Sequence, residues 1–353
     1  MNFDIKRPFT AYTRFLRRTI FKQSRKPVVG IDMGTRAVKA VLINAGSSGF
    51  QLEAWAVAPI NGGDLKSSLK AVLEKIKYTD QIPVTSVSGK GTLIRYVDMP
   101  RMPLEDLRKA FIYELDKYFP FDPQTIYTDC YILDPQRQEK RMSVLVAAVK
   151  KEMVDDRVKL FKDAGLDLSH VTINSIAIAN VFEQYGPPKT QGLSAKVVLD
   201  LGGLVSNVLV LNNGQPCFTR DIFIGSSEMT KQLANILGVT PEEATLIKQS
   251  PGARAEEVRE ACEAVVGQLV GEIRLSLDYF MTEKNIQIDE FFLLGGGSLL
   301  KGIEGVFEKN LGIPVKMWDP ALGLESGDGL DEAALRAHSS QLGVAIGLGL
   351  TEI

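Results

Sequence analysis

The residues best suited to chemistry sit in two short stretches of the 353-residue chain. Val28-Val29-Gly30-Ile31-Asp32-Met33-Gly34-Thr35 closes an apolar run with an aspartate and, two positions on, a glycine. Val197-Val198-Leu199-Asp200-Leu201-Gly202-Gly203 does the same in the second half of the chain. Glycine in a turn between strands lets backbone N–H groups approach a phosphate with no side chain in the way, and Thr35 or Ser206 can add a hydroxyl there. Aspartate cannot face a phosphate directly. It can hold a hydrated Mg2+ that does, because magnesium keeps most of its waters and takes few carboxylates. Two such turns, one on each side, would clamp a polyphosphate, with Lys39 adding a point charge. A single Asp-x-Gly is an ordinary β-turn. The pair in matching context, followed by an apolar strand that runs into Gly295-Gly296-Gly297-Ser298 and then a helix, points to nucleotide chemistry.

The elements that must hold these turns also repeat. Each Asp-x-Gly lies between the first two strands of a three-stranded antiparallel meander: 28–33, 37–43 and 52–57 in the first half, and 197–201, 207–211 and 217–222 in the second, with Asn212-Asn213-Gly214 as a hairpin signal. Duplication at half-chain spacing predicts two related lobes facing each other across a cleft. Between the meanders, a helix over 65–76 and a strand over 84–88 lead to Gly89. Strands over 92–97, 126–133 and 142–149, with a helix over 104–119 bracketed by prolines, read as a small module of their own. Helices over 154–164 and 176–184 close this half, and Pro187-Pro188 with Gly192 marks a hinge. In the second half, helices are expected over 228–237, from a capping box at Thr240-Pro241-Glu242-Glu243, over 255–283, over 299–310 and over 339–350.

Composition removes several function classes. With 45% apolar, 8% aromatic and 24% charged residues the chain is an ordinary globular protein. Its length favours more than one lobe. No run of 18 uncharged apolar residues occurs, and Met1 to Thr10 lacks the apolar centre of a secretory signal. Three scattered cysteines (Cys130, Cys217, Cys262) and two histidines (His170, His338), both in helix-like segments, argue against a zinc site and against a Ser/His/Asp hydrolase. The net charge of −2 conceals a basic start. Residues 1–27 hold eight cations against Asp4 alone, a local +7 that leaves −9 on the rest. Phe3, Ile5, Phe9, Tyr12, Phe15, Leu16, Ile20 and Phe21 interleave with those cations, a pattern that suits an anionic lipid surface or an acidic partner and is equally that of a solvated tail. The acidic body argues against nucleic acid.

Family resemblance sharpens this reading. Asp32-Met33-Gly34-Thr35 resembles the first phosphate loop of the actin/Hsp70/sugar-kinase superfamily, Asp200-Leu201-Gly202-Gly203 with Ser206 the second, and Leu294-Gly295-Gly296-Gly297-Ser298 its adenosine motif. Arg95-Tyr96-Val97-Asp98-Met99-Pro100, the run from Tyr113 to Phe121, Asp129-Cys130-Tyr131-Ile132-Leu133, Arg220 with Gly225, and the run from Glu272 to Tyr279 are similar to the PilM family of type IV pilus assembly proteins. The likeness covers residues 28–353.

The resemblance implies an α/β, two-lobed actin/Hsp70-like ATPase fold with an FtsA-like 1C subdomain inserted in the first lobe. The implied division is a basic extension at 1–27, subdomain 1A at 28–91, the 1C-like insert at 92–165, the rest of 1A and a linker at 166–190, the second lobe at 191–334, and a returning C-terminal helix at 335–353. It also implies ATP and Mg2+ as ligands. Phosphate contacts fall to Gly34, Thr35, Lys39, Gly202, Gly203 and Ser206, adenosine contacts to Lys248, Gly295, Gly296, Gly297 and Ser298, and water-mediated metal contacts to Asp32 and Asp200. The implied role is a cytoplasmic platform at the inner membrane that holds the cytoplasmic tail of a PilN-like membrane protein and meets other pilus assembly and motor proteins; residues 1–27 lie outside the likeness, and their pattern leaves peripheral membrane contact and a solvated tail both open.

Two departures bear on activity. Ala244-Thr245-Leu246-Ile247-Lys248 keeps the family's lysine and lacks its glutamate, and Val171-Thr172-Ile173-Asn174 offers asparagine where the family often has an aspartate, so hydrolysis is expected to be slow or absent. Three other readings carry expectations of their own. A small-molecule kinase needs a general base that is not evident here. An FtsA-like filament protein anchors through a C-terminal amphipathic helix, which Thr351-Glu352-Ile353 does not provide. The related type II secretion module lacks working phosphate loops.

Overall fold

The computed structural model describes residues 26–46, 49–133, 140–187 and 194–351. All but Lys26 and Pro27 of the basic extension, and most of the expected hinge at Pro187-Pro188-Gly192, fall outside them. Strands β1 (Val28–Met33), β2 (Ala37–Ala45) and β3 (Phe50–Pro59) form the first meander, with Asp32 directly opposite Lys39. Helix α1 (Leu65–Lys75) leads to β4 (Ile82–Val87), parallel to β1. The chain then builds β5 (Thr92–Pro100), α2 (Leu104–Ile112), α3 (Leu115–Tyr118), β6 (Ile126–Ile132) and β7 (Arg141–Lys150), followed by α4 (Lys151–Asp163), β8 (His170–Ile173) and α5 (Asn174–Tyr185).

The second half repeats the plan. It comprises β9 (Ser194–Leu201), β10 (Ser206–Asn212) and β11 (Gln215–Ile222), then α6 (Ser226–Leu237), α7 (Pro241–Gln249) and α8 (Ala255–Lys284), then β12 (Gln287–Leu294), α9 (Ile303–Leu311), β13 (Val315–Met317), β14 (Glu325–Ser326), α10 (Glu332–His338) and α11 (Gly343–Gly349). The strand orders are β14-β3-β2-β1-β4-β8 and β11-β10-β9-β12-β13. Apart from the added edge strand β14, each sheet is an antiparallel meander continued by two parallel strands, so the sequence repeat is also a repeat of topology. The third sheet, β5-β7-β6, is antiparallel. One of its faces packs on α2 and α3 through Leu107, Phe111, Leu115 and Phe119, and the other on Ile173 and Ile176.

Alternation along the central strands divides the core. Val197, Leu199 and Leu201 face α6 and α8, whereas Val198, Leu209 and Leu294 face inward and share a cluster with Val41, Val84, Ala177 of α5 and Ala345 of α11. Helices α5 and α11 therefore join the two sheets. Their approach depends on small residues: a Cβ on Gly347 would lie 1.8 Å from the Ala177 carbonyl oxygen, and one on Gly30 would lie 2.1 Å from that of Ala345. On the outer face of the first sheet, Phe161 of α4 is fully buried among Val29, Ile31, Val38 and Ala40.

Several expected elements differ. The helix over 104–119 breaks at Tyr113 and Glu114 into α2 and α3. Positions 107, 111, 115 and 119 drift about 40° per step around an unbroken helix, and the break keeps all four side chains in one cluster. The helix over 299–310 begins only at Ile303, after a 3-10 turn at Gly296–Leu299 and Gly302 at φ +80°. The stretch over 339–350 is a 3-10 turn, Ser339–Leu342, followed by α11. The helix over 154–164 starts earlier, at Lys151. His170 lies in β8 rather than a helix. The capping box at Thr240 and Glu243 forms, with Pro241 as the first helical residue. No described helix is long and apolar enough to cross a membrane.

Candidate nucleotide site

The two Asp-x-Gly turns, each at the C-terminal end of a strand with a parallel neighbour, come together where the two sheets face each other. Asp32, at the end of β1, accepts a 2.7 Å hydrogen bond from Lys39 Nζ across the hairpin, and both side chains are largely buried. Burial opposes the Lys39 charge, but Asp32, with a contribution from Asp200, outweighs it and raises the lysine pKa above its ordinary value. The two turns touch: a Cβ on Gly203 would fall 2.4 Å from Thr35 Oγ1 and 2.8 Å from Arg36 Cγ. Only glycine permits that approach.

Asp200 sits at the end of β9. Burial is the chief reason its carboxyl is pushed up to about 7. Lys39 pulls the other way, and Asp32 and Asp221 add to the rise. The third glycine loop lies against it: Gly295 has φ +92°, and a Cβ there would come 2.3 Å from Asp200 Oδ1, while one on Gly297 would strike the Leu201 side chain. Gly296 is the exposed member of this loop, with open space before it.

The remaining expected residues divide by how they are used. Ser206 is fully buried and donates its hydroxyl to the Ile224 carbonyl at 2.6 Å, and Ser298 donates to the Gly295 carbonyl at 2.7 Å. Both hydroxyls are turned inward and hold the loops. The backbone N–H groups of Ser226 and Ser227, at the start of α6, donate to the carbonyls of Gly202 and Gly203 and fix the second turn from behind. Lys248 of α7 donates to the Ser226 carbonyl at 3.0 Å and to Thr230 Oγ1 at 2.7 Å. Burial lowers its pKa to about 8, with Cys262 opposing and Arg36 assisting. Asn174 opens α5, where the sequence offered no carboxylate.

Three residues at the cleft were not singled out by the sequence. Arg36 reaches across the lobes and donates to Thr245 Oγ1 at 3.1 Å. Asp221 of β11 accepts from the Gly89 N–H at 2.9 Å, from Thr92 Oγ1 at 3.3 Å and from Asn207 Nδ2 at 2.6 Å, tying the second lobe to the junction between β4 and β5. Burial raises the Asp221 pKa against those three hydrogen bonds. Arg157 of α4 stands within electrostatic reach of Asp32, and its only advance signal was a cation four residues before Phe161 on the apolar face.

The residues present fit a magnesium-bound polyphosphate. Narrow glycine turns meet from opposite lobes, two carboxylates lie behind them, and a lysine bridges the first carboxylate. Among the described residues no group of three or more His, Cys, Asp or Glu could enclose a metal, so a cation here would be shared with water and with phosphate oxygens.

Two matching sheets around such a cleft define the class, the actin-like ATPase fold. The "PilM-PilN type IV pilus biogenesis complex" superposes with a TM-score of 0.81 at 24% identity, covering 92% of this chain and 97% of that one. Ethanolamine utilization protein EutJ from Carboxydothermus hydrogenoformans follows at 0.53 and 15% identity, covering 96% and 94%. MreB5 of Spiroplasma citri, bound to AMPPNP, gives 0.50 and 11% identity, covering 92% and 95%. The family described as "Type IV pilus assembly protein PilM" matches residues 30–353. The chain belongs to the PilM family of type IV pilus assembly proteins.

Proposed function

We propose that this chain binds ATP with Mg2+ between its lobes and, in that state, serves as the platform of a type IV pilus assembly complex that receives the cytoplasmic tail of a PilN-like membrane protein. The observation that carries the nucleotide half is the meeting of Gly203 with Thr35 in front of Asp32 and Asp200. In this reading the turns at Gly34, Thr35 and Gly203 present backbone N–H groups to phosphate oxygens, while Gly202, whose N–H donates to the Asp200 carbonyl at 3.1 Å, shapes the second turn, and Lys39 supplies positive charge. Ser206 and Ser298 hold the loop shapes. Asp32 and Asp200 orient water around the cation. Gly295, Gly296 and Gly297 form the flat seat for adenosine, bordered by Lys248. With asparagine at 174, hydrolysis is slow or absent, and binding rather than turnover carries the signal.

The partner half draws support from family membership and from the neighbouring complex of PilM with PilN. The module at 92–165, inserted between first-lobe elements, contributes to the peptide groove, and its link to the nucleotide runs through Asp221, which holds Gly89 and Thr92 at the root of that module. Residues 1–27 bring the platform to the cytoplasmic face of the inner membrane. Asp32→Ala tests both halves. It should weaken Mg-ATP binding at least about tenfold, the scale of one lost charge-assisted contact, and should lower affinity for a PilN tail peptide measured with nucleotide present. Unchanged affinity for both ligands would overturn the reading.

A further inference from the structure

Arg157 has no place in the family motifs quoted above, and its surroundings are unusual for an arginine. Helix α4 is anchored to the first sheet by Phe161, which is fully buried against Val29 and Ile31 of β1. Residues four apart share a helix face, so Arg157 lies one turn before Phe161 over the same sheet. The direction of that turn is fixed by the neighbours of α4. Its start is pinned at Gly91, where an added Cβ would lie 2.2 Å from Met153 Sδ. Gly91 follows the C-terminal end of β4, which runs parallel to β1 with Thr85 beside Ile31. The first turns of α4 therefore stand on the outer face of the first sheet, at the end that carries the first glycine turn, whereas Asp32 projects from that end on the inner face with Gly30.

Arg157 Nη1 is buried there with no hydrogen-bond partner among the described residues. Burial lowers its pKa, and Asp32 is the charge that resists this. An arginine keeps its proton in such a setting and goes on presenting N–H donors. A buried charged donor left unpaired is costly. A ligand oxygen that accepts from Arg157 at this end of the sheet would remove that cost.

We infer that Arg157 is a phosphate-contacting residue that donates to the terminal phosphate of a bound nucleoside triphosphate. This rests on the nucleotide reading above and deepens it. The glycine loop and Lys248 assigned to adenosine lie in the second lobe, whereas Arg157 approaches from the first lobe, at the end of its sheet that carries the first glycine turn. The ligand group that reaches it is the one farthest from the base. Such a contact makes the site read the third phosphate, so the triphosphate and diphosphate forms are distinguished by a residue of α4, the helix that directly follows β7 of the third sheet.

Calorimetric titration of the full chain with Mg-ATP and with Mg-ADP, for the native protein, Arg157→Met and Arg157→Lys, tests this. Arg157→Met should lose about tenfold or more in ATP affinity, as expected for a hydrogen bond to a charged group, and less than about threefold in ADP affinity. Arg157→Lys should recover part of the ATP loss. Without nucleotide, Arg157→Met should melt no lower than the native protein, because it removes an unpaired buried charge. Equal losses for ATP and ADP, no loss for either, or a lowered melting temperature of the apoprotein would each overturn the assignment and leave Arg157 a structural partner of Asp32 or a bystander. Native protein that binds neither nucleotide would overturn the nucleotide reading itself, and this role with it.

Discussion

Asp32 and Lys39 face each other across a two-stranded hairpin, mostly out of water, and each neutralises the other. Removing one partner of such a pair leaves an uncompensated charge, so Lys39→Met should destabilise the protein by about 3 kcal/mol, and the double variant Lys39→Met/Asp32→Asn should regain most of it. Denaturant titration of the single and double variants reads this directly. Asp200 behaves oppositely. Its carboxyl is raised to about 7 by burial, whereas the unfolded chain releases that proton near pH 4. The associated stability is therefore complete below about pH 4 and is lost as pH rises through about 7. Asp200→Asn should accordingly raise the unfolding midpoint of the apoprotein at pH 8, by about 2 °C or more, and by less at pH 5. The magnesium-dependent part of ATP affinity follows the same titration with the reverse sense. A cation needs the ionised carboxylate, so this part should weaken about tenfold between pH 8 and pH 6.

Helices α5 and α11 carry the joint between the lobes, and Gly347 sets their separation. Gly347→Ala would place a methyl group on the Ala177 carbonyl and push α11 away from both sheets. The expected loss is about 2 kcal/mol or more, in the range of overpacked cores, visible as a lowered thermal midpoint. At this scale the sequence was informative wherever a signal is local. The two meanders, the Asn213-Gly214 turn with both residues at positive φ, and the Thr240 capping box are all encoded by residues within a few positions of one another. Features set by tertiary packing were not legible. The break at Tyr113 and Glu114 exists because Leu107 and Phe119 must reach one cluster. Likewise, no local pattern says that the hydroxyls of Ser206 and Ser298 turn to Ile224 and Gly295, or that Arg157 Nη1 is buried without a partner.

Across the whole molecule, the lobes meet through a few polar contacts at the rims of the cleft in addition to the buried joint. Arg36 bonds Thr245, Asp221 bonds Gly89 and Thr92, and Lys90 Nζ sits 5.4 Å from the centre of the Phe223 ring. A ligand gripped by both glycine turns would tighten this side of the molecule. Because Asp221 ties the second lobe to the start of the third sheet, Asp221→Ala should speed amide hydrogen exchange at Gly89 and Thr92 in the apoprotein and should reduce the effect of nucleotide on peptide affinity. Exchange rates unchanged from the native protein would place the coupling elsewhere.

The central claim is that the two Asp-x-Gly turns act together on one magnesium-bound nucleotide. Calorimetric titration of the full chain with ATP, with and without Mg2+, tests it most directly. Saturable one-to-one binding that is strong with magnesium and falls by about tenfold or more without it is the predicted result. No binding in either condition, or binding indifferent to magnesium, would contradict the account.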